Sequence, residues 1–282
     1  MFMENIYSQS EIRRILEENS LAPLKSLGQN FLTDQNVVEN IAEATVSTKN
    51  VLEIGPGLGA LTRKLADRAE KVVCVEIDRG MVEALAHTLE GYQNVTVIHQ
   101  DFLKTDLDEI RNGCFGGEDF AVVGNLPYYI TSKILLKVLE DSEHITSFTA
   151  MIQSEVADRL CAEPGDENYG AITASLAYYG RPEHLFDVSN KCFYPEPEVS
   201  STVIRYVPRK MFDIDRDQYS KTVRGMFSMR RKNLQNNLKA SFGIKGDRAR
   251  TIFQEAGIDG SERAEDLSPK DFFILAKAIY NI

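Results

Sequence analysis

The stretch from Gly124 to Ile130, Gly-Asn-Leu-Pro-Tyr-Tyr-Ile, carries residue types suited to chemistry on a flat polar ring. Asn125 offers a side-chain amide, Leu126 a backbone carbonyl and Tyr128 an aromatic face. Pro127 has a fixed φ and pushes the residue before it toward an extended conformation, which predicts a stiff loop. Two hydrogen-bond acceptors beside an aromatic ring suit a heterocycle that bears an amine. We therefore interpret this stretch as the active site.

Three predicted strands upstream each end in residues that could contact a ligand. The first leads into the glycine-rich turn that begins at Gly55, the second ends in Glu76, and the third precedes Asp101 and Phe102. Ligands of open α/β sheets bind along the carboxyl edge of the strands, and an acid about twenty residues after the glycines can accept both hydroxyls of a ribose. Asp101 could accept a hydrogen bond from an adenine amine, with Phe102 beside the ring. The strands are predicted at 51–54, 72–78 and 95–99.

Each of these features also has a plainer interpretation. Gly55, Gly57 and Ala60 fit the dinucleotide-binding pattern G-x-G-x-x-G/A, and such a turn can also be purely structural. A lone acid at a strand end is more often a turn or cap residue. The two amides in the loop at 25–32 are, from their position alone, better explained as exposed loop residues. The functional interpretation is favoured because three successive strands place such residues at one edge of the predicted sheet.

Strands alternate with helices through the first two hundred residues, which predicts an α/β fold with a Rossmann-like sheet. The last two strands, joined by a proline-containing loop, are expected to close this sheet as an antiparallel pair. Beyond Pro208 only helical patterns are evident. We therefore expect a catalytic domain at 1–207 and a small all-α domain at 208–282. The strands of the second half are predicted at 120–123, 148–152, 186–188 and 199–207.

The composition excludes several classes of protein. With 43% hydrophobic and 26% charged residues, the 282-residue chain is typical of a globular protein. No apolar run is long enough to span a membrane, and the N-terminus lacks the apolar core of a signal peptide, so a cytoplasmic location is expected. The four cysteines and four histidines are scattered, which favours inert thiols and no metal site.

One segment departs from the acidic character of the chain. Residues 221–250 hold nine Lys or Arg against a single acid, a net charge of +8, whereas the whole chain carries −10. A basic segment on an acidic body can steer a polyanion to one place, although an isolated basic run is usually only a solvated face. If Arg230, Arg231 and Lys232 lay on a helix, they would fan over roughly 200° and could not all meet one partner.

Four ordered signatures carry a family resemblance. They are Leu27-Gly28-Gln29-Asn30-Phe31-Leu32, Glu53-Ile54-Gly55-Pro56-Gly57-Leu58-Gly59, Gly124-Asn125-Leu126-Pro127-Tyr128, and Phe193 with Pro195 and Pro197. With the run Met229-Arg230-Arg231-Lys232-Asn233-Leu234 they span nearly the whole chain. The sequence closely resembles the ribosomal RNA adenine dimethyltransferases of the KsgA/RsmA type. This resemblance implies the fold of class I S-adenosylmethionine-dependent methyltransferases.

The resemblance also implies a role for each matching residue. The catalytic set would be Asn125, Leu126, Pro127, Tyr128 and Phe193, with the two aromatic rings flanking a flipped adenine. S-adenosylmethionine would be held by Gln29, Asn30, Leu32, Gly55, Gly57, Glu76, Ile77, Asp101, Phe102 and Asn125. The RNA contacts would come from Arg224, Arg230, Arg231 and Lys232.

The implied substrate is a pair of adjacent adenosines in a hairpin loop near the 3′ end of 16S rRNA, within the small ribosomal subunit or its precursor. The enzyme is expected to act as a monomer. The chain departs from the family pattern at Glu198, where a lysine is usual, and at Ser200, where an acid is frequent. An RNA contact at position 198 is therefore not implied, whereas the aromatic and proline positions match.

Two alternatives stay open. The large-subunit rRNA adenine methyltransferases that confer macrolide resistance share the glycine turn and the Asn-x-Pro-Tyr sequence, but the long helical C-terminus with its basic run favours the small-subunit interpretation. A non-catalytic RNA-binding or assembly factor could retain the same fold. The intact set of Gly55, Glu76, Asp101 and Asn125 favours catalysis. A nicotinamide dehydrogenase is a distant third, because nothing resembles a hydride-transfer site.

Overall fold

The computed structural model describes residues 6–24, 28–45, 48–229 and 231–281. These form two compact units, the first comprising 1–157 with 182–208 and the second comprising 158–181 with 209–282. Residues 158–181 thus group with the C-terminal helices, whereas the sequence prediction placed them in the N-terminal domain. The reason is a set of tyrosine hydroxyls that donate within the second unit: Tyr169 to the Leu267 carbonyl (2.9 Å), Tyr178 to that of Ile214 (2.9 Å) and Tyr219 to that of Ala174 (2.8 Å).

Helices and strands alternate through the first unit, and helices make up the second. The strands are β1 (Phe31–Leu32), β2 (Asn50–Ile54), β3 (Lys71–Glu76), β4 (Val95–His99), β5 (Phe120–Asn125), β6 (Ile145–Gln153), β7 (Glu183–Val188), β8 (Phe193–Tyr194) and β9 (Ser201–Tyr206). The helices are α1 (Gln9–Glu18), α2 (Gln35–Thr45), α3 (Ala60–Ala66), α4 (Arg79–Thr88), α5 (Leu107–Cys114), α6 (Thr131–Glu140), α7 (Ser154–Cys161), α8 (Ala171–Leu176), α9 (Arg216–Met226), α10 (Leu234–Phe242), α11 (Asp247–Ala256) and α12 (Pro269–Tyr280).

The first unit is built on a seven-stranded sheet with the order β4-β3-β2-β5-β6-β9-β7. Strands β2 to β6 run parallel to one another, and β9 runs antiparallel to both β6 and β7. Every residue of β2 is buried, as expected for a parallel strand covered on both faces. The predicted Rossmann-like α/β sheet and its closing antiparallel pair are confirmed.

A second, two-stranded sheet was not predicted. Strand β1 pairs antiparallel with β8, so that Phe31 lies opposite Tyr194 and Leu32 opposite Phe193. Leu32 and Phe193 also belong to the apolar core of the first unit. Two-residue strands leave no periodicity in the sequence, which is why both segments resemble loops there. The pairing anchors the loop that precedes β1, and that loop carries two of the predicted site residues.

The second unit buries the apolar stripes that its helical patterns indicate. Leu234, Leu238, Phe272 and Leu275 are each fully buried. Helix α12 begins with a capping box in which Ser268 accepts from the Asp271 amide, and proline occupies its first turn. Every regular element in the described part of this unit is helical, so the predicted all-α character is confirmed. None of the described helices is both long and apolar enough to cross a membrane.

Close packing at the end of β5 explains why residue 124 of the active-site stretch is a glycine. A Cβ atom on Gly124 would lie 2.9 Å from the Ile54 carbonyl oxygen and 2.9 Å from Leu126 Cδ2. Gly124→Ala should therefore destabilise the protein by about 1–3 kcal/mol through overpacking. Gly113→Ala, on α5 with open space around the new methyl group, should stabilise it by about 0.5–1 kcal/mol. Urea denaturation of both variants checks this, and equal effects would contradict the packing argument.

Candidate active site

A cavity of about 280 Å³ opens at the carboxyl edge of the parallel strands in the first unit. All ten residues predicted to hold the methyl donor line it. The ends of strands β2 to β5, together with β1 and the loop before it, supply them, and the strand ends converge as the sequence predicts. The structure thus brings the predicted donor residues together, and their individual contacts to a donor stay predictions. The ten residues are Gln29, Asn30, Leu32, Gly55, Gly57, Glu76, Ile77, Asp101, Phe102 and Asn125.

The floor of the cavity is the glycine turn between β2 and α3. Gly55 and Gly57 have φ angles of +65° and +58°, a left-handed conformation that side chains other than glycine rarely adopt. The Gly55 amide donates to the Val75 carbonyl at 3.0 Å, which ties the turn to β3. A Cβ on Gly57 would press on the Phe31 ring at 3.3 Å. The backbone here is therefore free of side chains and can be approached closely by a ligand.

Glu76, at the end of β3, presents a buried carboxyl group to the cavity. Its Oε1 accepts from the Asp78 amide at 2.9 Å, and the residue is only 5% exposed. Burial raises the pKa of Glu76, while backbone N–H groups of Asp78, Gly57 and Ile77 act in the opposite direction. Those N–H groups hold the carboxylate in place. A fixed carboxylate at this position suits a pair of ligand hydroxyls.

Asp101 fits both interpretations that the sequence allows, a cap residue and a ligand-contacting residue. Its Oδ1 accepts from the Leu103 amide at 3.0 Å and caps a short 3₁₀ helix, Phe102–Lys104. Its Oδ2 lies 3.9 Å from the Lys104 ammonium group, and the side chain is partly exposed at the cavity. The cap thus occupies one oxygen and leaves the other for a weak ion pair or a ligand. Phe102 is buried beside it.

The loop before β1 is held by its own amides. Gln29 Nε2 donates to Asp78 Oδ2 at 2.9 Å, and its Oε1 accepts from the Leu24 amide at 2.8 Å. Both ends of the Gln29 side chain are therefore engaged, which favours a supporting role over direct ligand contact. Asn30 Nδ2 donates to the Gly28 carbonyl at 3.1 Å. Residues 25–27, which include Leu27 at the start of the first signature, lie outside the described residues.

Asn125 is oriented by a hydrogen bond to this loop. Its Nδ2 donates to the Asn30 carbonyl at 3.0 Å, so the nitrogen end of the amide faces that loop. The oxygen end remains as an acceptor at the cavity, which Asn125 lines. The Leu126 amide donates to the Met151 carbonyl at 3.0 Å, and the Thr131 hydroxyl donates to that of Pro127 at 3.0 Å. The predicted stiffness of the loop agrees with these contacts.

The predicted aromatic residues occupy different environments. Tyr128 is half-buried, and its hydroxyl shares a hydrogen bond of 3.1 Å with Ser201. Leu126, Tyr128 and Phe193 do not line the cavity. Phe193 is 1% exposed and packs in the core of the first unit, because β8 turns its side chain inward opposite Leu32. In this structure Phe193 is a core residue, and its placement beside a base stays a prediction.

Several cavity residues were not predicted from the sequence. Tyr129 lines the cavity and is 58% exposed, and its position next to Tyr128 was the available signal. Ile6 and Ile12 also line the cavity.

Glu53, in the middle of the otherwise apolar strand β2, is a further cavity residue without a predicted role. Its Oε2 accepts from the Thr62 hydroxyl at 2.6 Å and from the Cys74 thiol at 3.6 Å. Burial raises the pKa of Glu53 to about 7 and raises the pKa of the Cys74 thiol well above its ordinary value. The raised thiol pKa agrees with the predicted inertness of Cys74.

The predicted RNA-contacting residues lie in the second unit. Arg224 is exposed near the end of α9, and Arg231 and Lys232 are exposed in the turn between α9 and α10. Arg230 lies outside the described residues. Arg231 and Lys232 thus lie in a turn and not in a helix, because α9 ends at Met226 and Asn233 caps α10. Over the described residues, neither Arg231 nor Lys232 has an ion pair.

Comparisons with known proteins agree with this site. The sequence profile of the family described as ribosomal RNA adenine dimethylase matches residues 23–281. The ribosomal RNA small subunit methyltransferase A of Oceanobacillus iheyensis is 40% identical over 283 residues, 98% of this chain and 96% of that protein. That of Clostridioides difficile is 38% identical over 282 residues, 98% of each chain.

Two solved structures are also similar. The 23S rRNA methyltransferase ErmE has a TM-score of 0.71 and 30% identity, covering 89% of this chain and 99% of that one. A dimethyladenosine transferase from Plasmodium falciparum has a TM-score of 0.75 and 25% identity, covering 87% and 95%. The neighbours confirm the predicted methyltransferase fold class.

The buried acid Glu53 predicts a pH-dependent stability. The pKa of Glu53 is raised from 4.5 to about 7, so its contribution to stability is complete below pH 4.5 and is lost as the pH rises through 7. Glu53→Gln, which mimics the neutral acid, should gain up to about 3 kcal/mol relative to the wild type between pH 5 and pH 8. Urea denaturation at both pH values measures this. The exposed control Glu17→Gln should show no such gain, and a pH-independent effect of Glu53→Gln would refute the assignment.

Proposed function

This chain belongs to the ribosomal RNA adenine dimethylase family and is an S-adenosylmethionine-dependent rRNA adenine dimethyltransferase, and we propose that it modifies the small subunit. The proposed target is the N6 amine of two adjacent adenosines in a hairpin loop near the 3′ end of 16S rRNA, in the small subunit or its precursor. We propose that the enzyme acts in the cytoplasm as a monomer during subunit biogenesis.

The hydrogen bond from Asn125 to the Asn30 carbonyl is the observation that carries the catalytic proposal. It leaves the Asn125 oxygen as an acceptor at the edge of the donor cavity. With the Leu126 carbonyl, this oxygen would accept hydrogen bonds from the two N–H groups of the adenine amine. The lone pair of that nitrogen is delocalised into the purine, so the amine is a poor nucleophile. Two acceptors favour a tetrahedral nitrogen whose lone pair is directed away from them.

The residues of the cavity fit S-adenosylmethionine. Glu76 offers a buried carboxylate for the ribose hydroxyls, and Asp101 offers an acceptor for the adenine amine of the donor. Ile77 and Phe102 supply apolar surface for its ring, and the turn at Gly55 and Gly57 lets a ligand approach the backbone. When bound, this cofactor supplies an electrophilic methyl group on a sulfonium centre.

The protein contributes mainly position to the reaction. The adenine amine is unprotonated at neutral pH, so no strong base is needed before attack, and its proton is lost to water after transfer. Alignment of the two reactants could supply several kcal/mol, up to about 7–11 kcal/mol in the best cases. Stacking on Tyr128 would add roughly 1–3 kcal/mol per base. Phe193, which is buried, would instead support the loop through its pairing with Leu32.

The target base must leave its stack before it can reach Asn125. A loop adenosine is cheaper to extract than a paired one, which favours a hairpin-loop substrate. Tyr129, exposed beside Tyr128, is a second ring that a flipped base could meet. A pocket that is open on this side would leave room for the first methyl group during the second transfer.

The small-subunit assignment rests on the relatives named above. Those named for the small subunit cover 98% of this chain, whereas ErmE, named for 23S rRNA, covers 89% at lower identity. The structural likeness to ErmE nevertheless makes the large subunit the specific alternative. The basic turn in the second unit is proposed to contact the RNA backbone, and Glu198, which is exposed, is assigned no RNA contact.

Replacement of Asn125 tests the catalytic proposal and the substrate together. Methyl transfer from labelled donor should occur on small subunits that lack the modification and not on large subunits. Asn125→Ala should lower the rate on small subunits by at least 100-fold, because the orienting acceptor is lost, and should weaken donor binding only moderately. The exposed Asn112→Ala is the control and should behave as wild type. Wild-type turnover in Asn125→Ala would refute its role, and transfer to large subunits alone would refute the substrate.

Charge reversal tests the RNA contact of the second unit. Arg231→Glu with Lys232→Glu should raise the KM for RNA by at least tenfold at low salt and should flatten its salt dependence, because phosphate contacts release counterions. Donor binding, measured by calorimetry, should not change. The control reverses Lys49 and Lys71, two exposed residues at the amino-terminal edge of the sheet. If both double variants have the same KM, the basic turn is only a solvated face.

A further inference from the structure

A buried asparagine lies beneath the basic turn of the second unit, defined here as Met229 with Arg231–Asn233. Asn237, in the first turn of α10, is 1% exposed. Its Oδ1 accepts from the Met229 amide at 2.8 Å and from the Ser228 hydroxyl at 3.0 Å. Its Nδ2 donates to the Lys232 carbonyl at 3.2 Å and lies 3.5 Å from that of Met229. One side chain thus holds both sides of the turn.

The residues after the turn are anchored by backbone hydrogen bonds, from the Leu234 and Gln235 amides to the Glu262 and Gly260 carbonyls at 2.9 Å and 3.0 Å. Within the part of the chain that the structure describes, the backbone of the turn itself makes one internal hydrogen bond, from the Lys232 amide to the Met229 carbonyl at 2.9 Å. Arg231 and Lys232 point to solvent and have no ion pair there. The bonds from Asn237 therefore fix the backbone that carries these two charges.

We propose that Asn237 is a positioning residue for RNA binding, which sets the conformation of the basic turn so that Arg231 and Lys232 meet the phosphate backbone already ordered. The inference rests on the proposed RNA contact of that turn. A buried polar side chain is costly unless its hydrogen bonds are made, and an apolar residue at 237 would leave the Met229 amide and the Lys232 carbonyl without this partner. An amide is required because the site needs an acceptor for Met229 and a donor for Lys232, a pair of functions that Asn combines.

The role is distinct from that of a helix cap. Asn233 already caps α10 by accepting from the Asn236 amide at 3.1 Å. The Ser241 hydroxyl, one turn further along α10, donates to the Gly225 carbonyl at 2.9 Å and joins α10 to α9. Removal of the Asn237 side chain should therefore loosen the turn while the packing of α9 on α10 persists.

The test uses two substitutions and a matched control in the full chain. Asn237→Asp keeps the acceptor for Met229 but sets a carboxylate oxygen against the Lys232 carbonyl. Asn237→Ser adds no charge, and its hydroxyl is satisfied by the carbonyl four residues earlier, as is usual in helices. Gln235→Glu, at an exposed position of α10, adds the same charge on a side chain with no hydrogen bond to the described residues of the turn.

Both Asn237 variants should raise the KM for small-subunit RNA at least tenfold, with kcat and the donor Kd within twofold of wild type. Exchange of the Met229 amide hydrogen, measured by NMR or mass spectrometry, should accelerate at least tenfold in Asn237→Ser, which removes its acceptor. Gln235→Glu should leave all four quantities unchanged. If one Asn237 variant loses helical far-ultraviolet circular dichroism, its second unit is unfolded. The comparison then uses the other Asn237 variant.

The outcomes separate this inference from the function on which it rests. If Met229 exchange stays slow in folded Asn237→Ser, or if Gln235→Glu raises the KM as much, the positioning role is overturned. If exchange accelerates and the KM is unchanged while the Arg231 and Lys232 reversal does raise it, the turn needs no ordering and the inference again fails. If that charge reversal also has no effect, the proposed RNA contact is what fails.

Discussion

The hydrogen bond between the Asn125 side chain and the Asn30 carbonyl is the contact on which the geometry of the site depends. It joins the end of β5 to the loop before β1, and Gln29 extends the link to Asp78 at the start of α4. An amide is suited to this position because its nitrogen donates while its oxygen accepts. An aspartate would lose the donor and place a full charge beside the reacting amine. The identity of residue 125 therefore follows from two requirements at once.

Two ionisable residues of the cavity belong to strands that supply residues of the predicted methyl-donor site. Glu53 and Glu76 belong to β2 and β3, and burial raises the pKa of both. Glu76 is held by backbone amides, whereas Glu53 is bonded to Thr62 and Cys74. Asn125 and the Leu126 carbonyl, which face the adenine in our proposal, carry no titratable proton. The arrangement agrees with a reaction in which the protein orients an amine that needs no deprotonation before attack.

Much of this site could be predicted because strand ends and glycine turns leave strong local signals. Gly55, Glu76 and Asp101 each follow an apolar run, and parallel strands bring such residues to one edge. Properties that depend on three-dimensional packing left no such signal. The inward orientation of Phe193 depends on a two-residue pairing with Leu32, and the raised pKa of Glu53 depends on its complete burial.

The grouping of residues 158–181 with the C-terminal helices also escaped prediction. It depends on tyrosine hydrogen bonds to carbonyls that are distant in sequence, such as that of Leu267. The basic run was predicted from composition alone, and its turn conformation follows from the cap at Asn233 and the bonds of Asn237. Composition gives the charge of such a segment, but the side chains beneath it decide its shape.

Two asparagines in this chain solve the same structural problem with different consequences. Asn125 and Asn237 each donate to a backbone carbonyl of a neighbouring loop and so fix its position. Asn237 is buried and its oxygen is fully engaged, by the Met229 amide and the Ser228 hydroxyl. Asn125 is only half-buried, and its oxygen is left at a cavity. Buried polar atoms are normally satisfied within the protein, as those of Asn237 are. In our proposal the Asn125 oxygen, which is held at the cavity, instead accepts a hydrogen bond from the adenine amine. The same residue type would then be a structural element in one unit and a chemical group in the other.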